Sequence, residues 1–93
     1  MKIVKTKAFQ NSLKEILHFI SLDNKNNALK FANDLNKKID NLNDFPFMYR
    51  VSIYFNDEAI RDLIYKGYVI AYKVDTKKDI IVVLGITKYR DKI

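Results

Sequence analysis

The spacing of apolar residues changes at Pro46, and that change constrains the fold more than any other feature of the chain. Before it, large apolar side chains recur every three or four positions; after it they recur every second position or run together as β-branched and aromatic residues. A period near 3.6 places apolar groups along one stripe of an α-helix, and a period of 2 places them on one face of a strand. The two halves therefore predict helices followed by a sheet.

Phe9, Leu13, Ile16, Leu17 and Ile20 form the first helical stripe, with His18 off it. The polar run Ser21-Leu22-Asp23-Asn24 interrupts the pattern, competes for backbone hydrogen bonds and suits a turn that caps the next helix. A second stripe follows at Ala28, Phe31, Ala32, Leu35, Ile39 and Leu42. The short connection predicts an antiparallel helical hairpin. Pro46 holds Phe45 in extended geometry and closes the helical region. Residues 2–5 read as a short exposed edge strand, with Ile3 and Val4 between lysines.

Segments 60–65, 68–74 and 80–86 read as three further strands. Lys66-Gly67 provides the tight turn between the first two, and residues 75–79 the loop between the second and third, so both connections suit antiparallel hairpins. A sheet of this kind needs one face covered, and the helical hairpin supplies the apolar surface to do it. The expected class is α+β: a short N-terminal strand, then an antiparallel helical hairpin packed on one face of a small antiparallel sheet. With 93 residues, the chain has room for a single domain with one modest core.

Composition excludes several kinds of chemistry. There is no Cys and only one His, which removes disulfide frameworks, thiolate chemistry and an all-protein transition-metal site, so neither metal nor cofactor is expected. The glycines, Gly67 and Gly85, lie in the sheet region and not ahead of a helix, so no phosphate-binding loop is present. No apolar run approaches the roughly 20 residues of a spanning helix, and no signal peptide is recognisable, so a cytoplasmic protein with no membrane partner is expected. His18 reads as an exposed helical residue, and Phe31, Tyr68 and Tyr72 as packing residues.

The formal charge of +6, from 17 Lys plus Arg against 11 Asp plus Glu, is shared equally by the two halves and locates no site. The second half nevertheless holds a set of cations and tyrosines: Arg50, Arg61, Lys66, Lys73, Lys88 and Arg90, with Tyr49, Tyr65, Tyr72 and Tyr89. Cations hold phosphates and tyrosines stack on bases, so a nucleic-acid-binding module is one reading; a solvated basic sheet face is the other. All three arginines, Arg50, Arg61 and Arg90, lie in this half. Their forked donors suit bidentate recognition of carboxylate or phosphate. Equally, Arg61 could form a structural ion pair with Asp57 or Asp62.

At Tyr49-Arg50, Ile60-Arg61-Asp62-Leu63, Gly67-Tyr68-Val69-Ile70-Ala71-Tyr72-Lys73-Val74-Asp75 and Tyr89-Arg90-Asp91, the chain resembles the RelE/ParE toxin superfamily, which includes the plasmid stabilisation proteins. Ala28-Leu29-Lys30-Phe31 and Phe45-Pro46 extend the resemblance over nearly the whole length. It implies a RelE/ParE-like fold and the toxin half of a type II toxin–antitoxin module. The implied partners are a cognate antitoxin, either DNA gyrase or the ribosome with its messenger RNA, and operator DNA only through the antitoxin complex.

The two branches of the superfamily imply different chemistry. A RelE-like toxin cleaves messenger RNA on the ribosome with cations on the open sheet face, and Arg61, Lys88, Tyr89 and Arg90 would be its catalytic candidates here. That branch carries Gly-Tyr-Arg where this chain has Gly67-Tyr68-Val69, and valine cannot bind a phosphate. A ParE-like toxin poisons gyrase by binding and needs no catalytic set. The resemblance favours this branch, with Arg50, Arg61, Lys73, Tyr89 and Arg90 as the expected target-binding surface.

Overall fold

A computed structural model describes residues 1–89, and residues 90–93 lie outside the described part. The element order is β1 (Lys2–Lys5), α1 (Lys7–Asp23), α2 (Lys25–Asp40), a 3₁₀ turn (Asn41–Asn43), β2 (Arg50–Val51), β3 (Ile60–Tyr65), β4 (Tyr68–Asp75) and β5 (Ile80–Lys88). The five strands form one sheet in the order β1-β5-β4-β3-β2.

The sheet is mixed, which corrects the expectation of an antiparallel one. β1 runs parallel to β5, with Lys2 opposite Ile80 and Lys5 opposite Val83, whereas the other pairs are antiparallel. Three antiparallel pairings separate β2 from β5, so β5 runs opposite to β2 and in the same sense as β1. β2, which periodicity did not reveal, is too short to show any. Its two residues pair Arg50 with Asp62 and Val51 with Arg61.

The turn expected over residues 21–24 narrows to Asn24. Ser21 remains helical, its hydroxyl back-bonding to His18 O at 2.7 Å, a local bond that a helix accommodates. Asn24 serves both helices: its N–H donates to Ile20 O at 3.0 Å, and its Oδ1 accepts from Asn27 N at 3.1 Å. The start of α1 is set by Thr6, whose Oγ1 accepts from Phe9 N at 3.1 Å while its hydroxyl donates to Leu84 O at 2.9 Å. One side chain thus caps the helix and fastens it to β5.

The helices cover one face of the sheet. Phe9, Phe31, Leu35 and Ile39 meet Leu63, Ile70, Tyr72 and Val83 in the core. Along β5 the inward residues are Ile81, Val83 and Ile86, a spacing that breaks strict alternation. A β-bulge accounts for it: Ala71 opposes Gly85 and Tyr72 opposes Val83, leaving Leu84 as the extra residue. Tyr72 is fully buried, and its hydroxyl donates to Pro46 O at 2.8 Å, tying the helix-to-sheet connection to the core. Burial pushes its pKa up to about 12.

Candidate functional site

Strand pairing sorts the side chains into rows. Arg50, Asp62, Ala71 and Gly85 lie across from one another on the sheet, as do Ile64, Val69 and Thr87. Because alternate residues project to opposite faces, these rows belong to the face away from the helices. Val51, Arg61, Tyr72 and Val83 form a row on the helix side.

The connection between β2 and β3 folds back over the open face as a strap. Ile53 N donates to Asp62 Oδ2 at 3.2 Å, Tyr54 N to Ser52 Oγ at 3.1 Å and Ala59 N to Asp57 Oδ1 at 2.9 Å. Asp57, on the strap, also pairs with the sheet, its Oδ2 lying 3.6 Å from Lys73 Nζ. Val69 is only 2% exposed although it faces away from the helices. Tyr54 and Phe55 on the strap, Ala8 and Ser12 on α1, and Ala71 and Gly85 on the sheet enclose an apolar groove of about 300 Å³. The groove is open above Gly85, where a Cβ would meet nothing within 4 Å.

The polar part of this face centres on Asp62. Its carboxylate is buried, lies 3.5 Å from Arg50 Nη2, and leaves Oδ1 without a partner among the described residues. The Arg50 guanidinium, in turn, sits 5.7 Å from the centre of the Tyr89 ring. Tyr89 is held by its N–H, which donates to Gly67 O at 2.7 Å. Arg50 therefore has a buried anion on one side and an aromatic ring within cation–π range on the other, with the rest of its donors at the surface.

Of the residues singled out in the sequence, the structure brings Arg50 and Tyr89 together. Lys73 shares their face and is paired with Asp57. Lys88 pairs with Tyr68, in the helix-side row beyond Ile86. Arg61 is on the helix side as well, and its guanidinium donates to Glu58 O at 3.0 Å, Phe47 O at 3.2 Å and Tyr49 O at 3.1 Å. Its ion pair with Asp57 or Asp62 does not form. Strand alternation puts Arg61 and Asp62 on opposite faces, so Asp62 takes Arg50 and Asp57 takes Lys73. Arg90 lies outside the described residues.

The strap was not evident from periodicity. Its signal was the run Ile53-Tyr54-Phe55, apolar yet outside any periodic segment; these side chains are 62%, 48% and 46% exposed. Three exposed apolar side chains thus stand beside the groove. Among the described residues there is no group of three His, Cys, Asp or Glu able to hold a metal ion. No helix there is long and apolar enough to cross a membrane.

Comparison with known proteins places these features in context. Residues 3–92 match the family described as ParE toxin of type II toxin-antitoxin system, parDE. Among solved structures, the fold is similar to a chain of the chromosomal ParDE toxin–antitoxin system from P. aeruginosa, with a TM-score of 0.76 and 20% identity over 97% of both chains. No curated protein matches.

Proposed function

The chain belongs to the ParE toxin family of type II toxin–antitoxin systems, and from that premise we propose that it arrests growth by binding and poisoning DNA gyrase, with a cognate antitoxin holding it inactive. The apolar character of the open sheet face carries this reading. Val69, Ala71, Tyr54 and Phe55 line a groove suited to packing against a partner. Arg61 is engaged by three carbonyls and offers little to a phosphate. A surface of this kind acts through buried apolar anchors, with charge steering the encounter.

The antitoxin would use the same face. An acidic, flexible segment that orders on binding fits a basic chain with an open apolar groove. A second reading, cleavage of messenger RNA on the ribosome, draws on one observation: Arg50 and Tyr89 place a cation beside a phenol. That pair lacks a recognisable base for the 2′-hydroxyl among its described neighbours, because Asp62 is enclosed.

Purified gyrase and a translating extract separate the two readings. Gyrase poisoning predicts loss of supercoiling and accumulation of cleaved DNA, reversed by the antitoxin. Replacing Tyr54 and Phe55 by Ser would weaken inhibition without altering the fold, since both are half exposed. Translation-dependent cuts in messenger RNA, with gyrase unaffected, would replace this reading by the nuclease one.

A further inference from the structure

A second cavity, of about 380 Å³, opens where the β3–β4 turn meets the helical hairpin. Phe19, Asn27, Lys30, Phe31, Lys66 and Tyr68 line it, and none of these lines the groove on the open face. Its inner wall is rigid: Phe31 is 4% exposed and meets the Tyr68 ring edge-on at 5.5 Å and the Tyr65 ring at 5.1 Å. Phe19, by contrast, presents its ring to water at 71% exposure. Lys30, Lys66 and Asn27 line it together with these rings, and among the described residues no carboxylate does, Asp34 being bound outside the lining to the Tyr65 hydroxyl at 3.3 Å.

Lys66 departs from what its turn requires. The Lys66-Gly67 turn has φ values of 47° and 82°, the positive pair that Asn-Gly satisfies at least cost. A side chain other than Gly, Asn or Asp is disfavoured there. The chain nevertheless carries lysine at this position, with its ammonium 5.6 Å from the centre of the Tyr65 ring. A local rule broken at the mouth of a cavity points to a role for the side chain itself.

We propose that this cavity binds single-stranded nucleic acid, with one unpaired base stacked on Phe19 and neighbouring phosphates held by Lys30 and Lys66. The chemistry selects that ligand class. Cations with no carboxylate in the lining favour a polyanion, and an exposed ring beside them favours one with a free π-face, which neither an acidic peptide without aromatic residues nor a closed duplex offers. The site is separate from the groove on the open face and does not depend on whether gyrase or the ribosome is the target.

The test is fluorescence anisotropy of the full chain with a labelled 12-nucleotide oligothymidylate, titrated at several salt concentrations. Lys30→Ala combined with Lys66→Asn is expected to reduce the slope of log affinity against log salt by about 1.4, since each phosphate contact on a single strand contributes roughly 0.7. Phe19→Ser is expected to weaken binding about 5- to 150-fold, the loss of one stacked base. Lys66→Asn suits the turn, so its thermal midpoint should equal or exceed that of the native chain, which separates a binding role from a structural one. Three results would overturn the proposal: no binding by the native chain at low salt, an equal change of slope from Lys77→Asn with Lys78→Asn on the β4–β5 loop, or equal competition by duplex DNA or polyglutamate.

Discussion

Arg61→Ala tests the division of labour between the faces. On the face opposite Asp62, Arg61 connects three separate carbonyls, Phe47 O, Tyr49 O and Glu58 O, and its guanidinium lies 4.9 Å from the centre of the Phe47 ring. It thereby joins the segment before β2 to the end of the strap. Tyr49 O is partly buried, whereas the bonds to Phe47 O and Glu58 O are exposed, so water can replace those two. Losing a charged bond at a partly buried acceptor costs about 1–3 kcal/mol, and each exposed bond only about 0.5 kcal/mol. Some cation–π attraction to Phe47 goes as well. The total is about 2–4 kcal/mol, which for a domain of this size lowers the melting temperature by about 8–32 °C. Thermal unfolding followed by circular dichroism measures it. Arg61→Lys should recover less than half the loss, because one ammonium cannot span three acceptors set around a planar fork. A fall of less than about 4 °C for Arg61→Ala would show that these carbonyls do not depend on the guanidinium. If the predicted fall is seen, reduced toxicity of an Arg61 variant cannot by itself be read as loss of a target contact.

Two further predictions concern single side chains. Thr6→Ala removes the cap of α1 and the bond to Leu84 O, and should cost about 1–2 kcal/mol; Thr6→Ser should restore most of it, as read from urea unfolding midpoints. Tyr72 gives an alkaline signature. Its pKa is raised by burial from 10 to about 12 in the folded chain, so the unfolded chain loses this proton first as pH rises. Its contribution is present in full below pH 10 and disappears as pH climbs from about 10 to 12, a change of order 2–3 kcal/mol. Tyr72→Phe should flatten that part of the stability–pH curve, and an unchanged slope in the variant would assign the effect elsewhere.

Much of the fold was legible because it rests on local periodicity. The stripes from Phe9 to Ile20 and from Ala28 to Leu42, the turn at Lys66-Gly67 and the strands β3 and β4 each announce themselves within a few residues, where burial of one face dictates the pattern. The resemblance to the RelE/ParE superfamily rested on the same segments, and the family match over residues 3–92 agrees with it. The candidate site was legible only in its ingredients. Arg50 and Tyr89 could be named from residue type, but nothing in the order of the chain said that they would meet while Lys88 and Arg61 turned to the other face.

What the sequence determined by itself is therefore the set of elements and their inward faces, since those follow from side-chain spacing and backbone preference. The tertiary structure decided how the elements are joined. It made β1 parallel to β5, bulged β5 at Leu84, gave Asp62 to Arg50 and not to its neighbour Arg61, and laid the strap over Val69. Each of these depends on residues far apart in the chain that compete for the same space or charge, and such competition is settled only when the whole sheet has closed.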